Sequence, residues 1–341
     1  MMMRNVHTRI VAIVALSIAL AGCGGEDSTH PMSTLAPRSD LANWINGLFM
    51  EITAWDLLIL AIVIVAFILA VFFFSTRVGE AGPPTAVSSD LTLEIAWTLG
   101  PALILLFISI PTVRLIFRSQ PRGTRPNELP ITVVAHQWWW EFHYDDGSGA
   151  LTANELHIPA DRPIQLKLVS NDVIHSFWVP RLGGKRDVVP GQVNEIHLIA
   201  TVPGEYYGQC AEFCGESHAN MRFRIFVDKP DDFASWEKEQ AAPGAMPADA
   251  TAAMRGARVF ANSPCTTCHT INGVSKGYVG PDLTHIASRT TIAAGVLAND
   301  PKDLTEWIEH PDAMKPGARM PDFGLRGPEL NDLVAYLESL K

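Results

Sequence analysis

At 341 residues, with 48% hydrophobic and 18% charged residues, the chain is long enough for two or three domains and too apolar for an intrinsically disordered protein. A formal net charge of −10 argues against a nucleic-acid partner, since no basic patch is available to neutralise phosphates, and suits a basic protein partner instead. The five cysteines are all absorbed by the motifs below, which leaves none for a structural disulfide.

The N-terminus reads as an export signal. Arg4 and Arg9 precede the apolar run Ile10 to Leu20, which is too short to span a bilayer as an ordinary helix. It ends in Leu20-Ala21-Gly22-Cys23, which resembles a bacterial lipobox, where cleavage before the cysteine leaves an N-terminal residue that is lipidated. Residues 1–22 are therefore expected to be a lipoprotein-type signal peptide, Cys23 a lipidation site and 23–47 an extracytoplasmic tether; the alternative is a cysteine that happens to follow a plain signal peptide.

Two longer apolar stretches follow, Leu48 to Phe74 and Ile95 to Phe117, each long enough to cross a membrane, and they predict a helical hairpin over 48–118. Pro101 and Pro111 lie inside the second, where neighbouring helices can accommodate the lost hydrogen bonds. The competing reading is a pair of buried helices in a soluble α-protein. Charge and export disagree about orientation. Arg77 stands alone between the spans while Arg114, Arg118, Arg122 and Arg125 follow the second, which by the positive-inside rule would place the C-terminal part in the cytoplasm. The export signal followed by two spans returns the chain to the outer side, and the redox motifs below suit that side.

From Glu128 to Asp228 the pattern changes to short β-rich runs, such as Ile131-Thr-Val-Val-Ala and Ile164-Gln-Leu-Lys-Leu-Val, separated by Pro, Gly and Asp/Asn turns. Residues 125–230 are predicted to form a β-sandwich or barrel. Residues 231–250, ending in a stretch of small residues and proline from Ala241, read as a linker. Helical periodicity returns at Ala252 to Phe260, Leu304 to Glu309 and Glu329 to Leu340, within a third domain over 251–341.

The β-region contains Cys210-Ala-Glu-Phe-Cys214-Gly-Glu-Ser-His218-Ala-Asn-Met221, four soft or borderline ligands in twelve residues, with His175 a further 35 residues upstream. A neighbouring strand end could bring that histidine to the cysteine loop. Thiolate, imidazole and thioether together favour copper, with methionine as a weak axial ligand. Two thiolates can each bridge two ions, so that one electron shared over both metals moves with little bond rearrangement. The alternative is structural zinc on Cys210, Cys214, His218 and His175, which leaves Met221 unexplained.

The run resembles the binuclear copper (CuA) loop of cytochrome c oxidase subunit II. His136-Gln-Trp-Trp-Trp140, His175-Ser-Phe-Trp-Val-Pro180, Lys185-Arg-Asp-Val-Val-Pro-Gly191 and Pro203-Gly-Glu-Tyr-Tyr-Gly-Gln209 extend the likeness over about half the chain. The resemblance implies a cupredoxin-like barrel whose copper ligands are His175, Cys210, Glu212 through its carbonyl oxygen, Cys214, His218 and Met221. It further implies a magnesium ion shared by the Glu212 carboxylate with subunit I, electron input at Trp138, and a proton-pathway mouth at Glu94. Against these stand plainer readings: a solvated loop acid, a core tryptophan and a charged residue resting at the membrane interface.

Cys265-Thr-Thr-Cys268-His269 is a c-type haem attachment motif, with two thioether links and a proximal histidine. The distal ligand is expected to be a methionine, Met314 or Met320. Lys315-Pro-Gly-Ala-Arg-Met320-Pro resembles the methionine loop of class I cytochromes c and favours Met320, 51 residues after His269. Gly280-Pro281-Asp-Leu283 matches the same family, where Pro281 would orient His269.

The combined expectation is a multidomain membrane protein: a two-helix transmembrane hairpin, a cupredoxin-like all-β domain and an all-α class I cytochrome c domain. The resemblance implies the electron-input subunit of a caa-type haem–copper oxidase in the bacterial cytoplasmic membrane, with copper and haem c on the outer side. Its partners would be subunit I, other oxidase subunits, a cytochrome c donor and membrane lipid. Oxygen would be reduced in subunit I, since no histidine set for an oxygen-reducing centre is present here. The alternatives are the electron-input subunit of a CuA-containing nitric oxide reductase, a quinol oxidase subunit, or a free membrane-anchored electron carrier. Nitrous oxide reductase would need a second catalytic domain that the chain lacks.

Overall fold

A computed structural model of the chain describes residues 30–74, 89–120, 123, 125–244 and 251–341. The export signal, Cys23, Arg77 and the end of the linker lie outside the described residues.

Two long helices come first, α1 (Asp40–Phe74) and α2 (Leu91–Ser119), with mean hydropathy 3.1 and 2.0 over their most apolar windows and none of either window buried by protein. Such faces need a non-aqueous surrounding. Helix α1 starts at Asp40, ahead of the apolar run, because the β-domain holds its first turn. Ser39 Oγ accepts from Ala42 N at 3.0 Å and donates to Leu182 O at 2.6 Å, while Asp40 Oδ1 accepts from Ile199 N at 2.7 Å. At the far end of the hairpin's return, the Arg118 guanidinium lies 3.8 Å from the centre of the Trp44 ring. The hairpin therefore enters and leaves on the β-domain side. Asp90 caps α2 through Thr92 N and Leu93 N, and the helix continues through both prolines.

The β-domain is a two-sheet sandwich. One sheet has the order β3-β2-β1-β5-β8, formed by β1 (Leu129–His136), β2 (Trp139–Tyr144), β3 (Leu151–Ala153), β5 (Pro163–Ser170) and β8 (Asn194–Ile199). The other runs β4-β10-β9-β6-β7, formed by β4 (Glu155–Pro159), β6 (His175–Trp178), β7 (Arg186–Val188), β9 (Gly204–Cys210) and β10 (Arg222–Asp228). Alternation along β1 buries Leu129, Ile131, Val133 and Ala135, and along β2 it buries Trp140, Phe142 and Tyr144. Trp140, Phe177 and Phe223 form the aromatic centre, with ring separations of 4.5–5.4 Å.

The segment from 231, read as linker, is helical to Gln240. In α3 (Pro230–Gln240), Pro230 stands in the first turn, and Phe233 and Trp236, three residues apart, share the face that covers Tyr144 and His157. Two aromatic anchors make 231–240 a helix, while the stretch of small residues and proline that suggested a linker begins only at Ala241.

In the third domain, α4 (Ala252–Ala261) and the C-terminal α8 (Gly327–Ser339) cross and enclose Phe260 and Tyr336. The short helices α5 (Cys265–Cys268), α6 (Pro301–Glu309) and α7 (Pro311–Met314) complete it, with small hairpins β11 (Thr270–Ile271) with β12 (Ser275–Lys276) and β13 (Thr291–Ile292) with β14 (Leu297–Ala298).

Candidate copper and haem centres

The copper-type ligands converge through strand pairing. Phe177 of β6 faces Cys210 at the end of β9, which puts His175, two residues earlier, beside the loop that joins β9 to β10. Cys210 N donates to Met221 O at 2.9 Å and closes that loop at its base. The two sulfurs, Cys210 Sγ and Cys214 Sγ, are 3.8 Å apart. His175 Nδ1 lies 3.8 Å from Cys210 Sγ, and His218 Nδ1 lies 3.5 Å from Cys214 Sγ. Met221 Sδ is 3.9 Å from Cys214 Sγ, and Glu212 O is 3.3 Å from Cys210 Sγ. All six expected ligands thus meet in one cluster. Each thiol has its own imidazole, and each has one weak donor beside it. His175, Cys210, Cys214 and Met221 are at most 4% exposed.

Two thiols this close share their protons unequally. The contact between the two sulfurs, helped by His175 and nearby backbone groups, outweighs burial and holds Cys210 well below the usual thiol range, while the same contact and burial push Cys214 up. A site held in this form needs a cation to release the second proton, which is what a thiolate-bound metal does. One oxygen of Asp172 holds His175 Nε2 at 2.7 Å and the other accepts from Gln137 N at 2.6 Å, so the Nδ1 lone pair is left for the sulfur side. Asp172 was not singled out in the sequence. Its place three residues before His175, in a turn, was the available cue.

The three tryptophans of β2 and its approach point in three ways. Trp140 is core and meets His175 edge-on at 6.1 Å. Trp139 stacks on His136 at 4.1 Å. Trp138 is half-buried beside the copper loop, its Nε1 donating to Cys214 O at 3.0 Å, and Gln137 Nε2 donates to the same oxygen at 2.7 Å. The Glu212 side chain is exposed. Glu94 sits in the first turn of α2, about 36 Å along the helix from Arg118 and so at the opposite end of the span from the β-domain.

In the third domain a mainly apolar cavity is lined by Cys265, His269, Phe260, Trp307, Leu337 and Met320. His269 Nδ1 donates to Pro281 O at 2.8 Å, which leaves Nε2 free to bind iron. Gly280 allows the ring to stand there, because a Cβ at that position would come within 2.6 Å of His269 Cε1. Met314 closes α7 and is not among the lining residues. Arg289, also not singled out in the sequence, donates from Nη2 to Asp282 O at 2.6 Å, while its buried Nε has no partner. Burial lowers the His269 pKa, and the Arg289 charge adds to this. A buried, unsatisfied guanidinium donor next to the histidine is what a haem carboxylate would complete. The donor set and the orphaned nitrogen both fit a covalently attached haem.

The chain matches the family model Cytochrome C oxidase subunit II, transmembrane domain, over residues 36–115, Cytochrome C oxidase subunit II, periplasmic domain, over 149–228, and Cytochrome c over 253–341. It is 33% identical over 348 residues to cytochrome c oxidase subunit 2 of Alkalihalophilus pseudofirmus, covering 98% of this chain and 97% of that protein. It is 32% identical over 362 residues to the Bacillus subtilis protein of the same name, covering 98% of each. Quinol oxidase subunit 2 of Bacillus spizizenii is 30% identical over 235 residues, covering 67% of this chain and 71% of that protein.

Proposed function

The chain belongs to the cytochrome c oxidase subunit II family and carries a fused cytochrome c domain, and from that membership we propose that it is the subunit through which electrons enter a haem–copper oxidase. Haem c and a binuclear copper centre, when bound, would carry single electrons from a cytochrome c donor toward subunit I, where oxygen is reduced to water.

The observation that carries this reading is the paired arrangement of Cys210 with His175 and Cys214 with His218, each pair completed by a weak donor. A zinc site would use four strong donors and leave Met221 without a role, yet Met221 is fully buried against Cys214. His175 and His218 would bind through Nδ1, with Asp172 fixing the tautomer of the first. Cys265 and Cys268 would hold haem c, with His269 and Met320 on the iron, Pro281 orienting His269, and Arg289 receiving a haem carboxylate. Gln137 and Trp138 tie the copper loop to β2, so this loop is held before any metal arrives, which keeps reorganisation small.

An exposed Glu212 side chain is free to reach magnesium at a subunit I interface. Glu94, at the other end of α2, is placed for a proton-pathway mouth on the inner side, if the β-domain and haem domain face outward as the export signal implies. The matches over 98% of the chain favour cytochrome c over quinol as donor, since they take in the haem domain.

Electron paramagnetic resonance on the copper-loaded chain, with its haem absorbance, tests the reading. A multi-line spectrum from one electron shared over two coppers is expected, lost in Cys214→Ser while the haem bands persist. A silent metal or an ordinary single-copper spectrum overturns it.

A further inference from the structure

The haem domain rests on the β-domain, and the centre of that contact is one carboxylate. Glu155 opens β4 and is 2% exposed. Its Oε1 accepts four hydrogen bonds from the haem domain, from Thr290 N at 3.0 Å, Thr290 Oγ1 at 2.7 Å, Thr291 N at 2.7 Å and Thr291 Oγ1 at 2.7 Å. Its Oε2 lies 3.0 Å from Thr290 N. A buried carboxylate is costly unless hydrogen bonds replace its water. Here every one of those bonds comes from the other domain.

Further contacts align with it. Trp139 and Ala153 of the β-domain enclose Ala294 of the haem domain, and Arg222 N donates to Ala294 O at 3.1 Å. Lys315 Nζ bridges Trp138 O at 2.6 Å and Ala293 O at 3.1 Å. Arg319, next to Met320, donates to Gln137 Oε1, and Gln137 in turn holds the Cys214 carbonyl. The segment that carries Met320 is therefore pressed against the loop that carries Cys214.

Thr290 and Thr291 directly follow Arg289, whose buried Nε has no partner and whose charge bears on His269. Glu155 and Asp282 are the two acids whose charge bears on that guanidinium. Part of the electrostatic setting of the haem site is thus supplied from the copper domain.

We propose that Glu155 is a positioning residue for electron transfer within this chain, clasping Thr290 and Thr291 so that the haem domain is held on the copper loop and the Glu155 carboxylate is bonded at the residue that follows Arg289. This rests on the reading of the two centres given above. The charge favours the oxidised haem, which carries one more positive charge than the reduced form, and the clasp keeps the two centres at one separation.

The test uses the full-length chain loaded with haem and copper, as wild type, Glu155→Gln and Glu155→Ala. Two readouts are needed: the haem midpoint potential by spectroelectrochemistry, and the rate of copper reduction after flash reduction of the haem. Glu155→Gln keeps a carbonyl acceptor without the charge, so the potential rises while transfer stays near the wild-type rate. Glu155→Ala removes both, so the potential rises and transfer slows about tenfold, the change in docked population that follows from losing a buried acceptor. In Glu155→Ala, either readout at its wild-type value overturns the proposal. If that variant does not assemble both centres, the same judgement passes to Glu155→Gln on potential and to Thr291→Val on rate. No transfer from haem to copper in the wild type would sink the functional reading itself, whereas normal wild-type transfer with unaffected variants sinks only the clasp.

Discussion

Single residues decide how the charges near the copper loop are held. Glu141 on β2 lies between His136, 3.0 Å away, and His143, 3.2 Å away. Burial alone would raise Glu141, but hydrogen bonds from both histidines bring it down to about 2, and its carboxylate in return raises His143 against burial. The depressed carboxylate contributes stability above its unfolded value of 4.5 that is lost as pH falls toward 2, and the raised histidine contributes below 6.5 and loses its share as pH climbs past its folded value. The group therefore helps most between pH 4.5 and 6.5. Urea unfolding of wild type and Glu141→Gln should show a gap of about 1–2 kcal/mol at pH 5.5, discounted for partial exposure, that narrows below pH 4.5 and closes near pH 2. A gap independent of pH would mean that Glu141 acts by packing alone.

Residue types also carried most of what could be read in advance about the sites. Cys210, Cys214, His218 and Met221 lie within one loop, and Cys265, Cys268 and His269 within one turn, so their chemistry is written in local spacing. Asp172, Arg289 and Glu155 have no such signature. Each is an ordinary polar residue in sequence, and each gains its role from a partner that only folding supplies, at His175, at Asp282 and at Thr290.

At the level of elements, the haem domain depends on how closely two helices approach. Gly256 of α4 meets α8 so tightly that a Cβ would lie 1.8 Å from Asp332 O. The same crossing is fastened by Arg255, whose Nε and Nη2 reach Asp332 at 2.7 and 2.6 Å. Gly256→Ala cannot be absorbed by a rotamer change because the obstacle is backbone. It should cost at least about 3 kcal/mol and lower the thermal midpoint of the haem bands without altering the copper spectrum. An unchanged midpoint would show that α4 and α8 can separate freely. The three longer helices of this domain followed from periodicity, and so did the β-rich runs from Ile131 and Ile164 and the membrane spans, whereas the short hairpins β11–β12 and β13–β14 did not. Helix α3 did not, because its reason for being helical is the surface of Tyr144 and His157 on which Phe233 and Trp236 lie.

For the whole molecule, the question is how firmly two redox domains are joined. Lys315 is 4% exposed, and burial lowers its ammonium to about 7 against a smaller upward pull from the Cys214 side. It is kept there by the carbonyls of Trp138 and Ala293, one from each domain. Lys315→Met fills similar space but leaves both carbonyls unpaired, at about 1–3 kcal/mol of docking. Limited proteolysis between the two domains should become faster, and haem-to-copper transfer slower, while the haem and copper spectra of each centre are kept. Unchanged proteolysis would show that the bridge adds nothing to docking.

The sequence by itself determined the two spans and the order of the modules that follow them, because apolar length, strand alternation and clustered Cys, His and Met are local properties that survive in one dimension. It left open which tryptophan faces which way, how His175 is oriented, and that Glu155, Lys315 and Arg319 hold the haem domain against the copper loop. The first two depend on strand register and on turn geometry, and the last on contacts between residues more than a hundred positions apart, which exist only once the chain has folded.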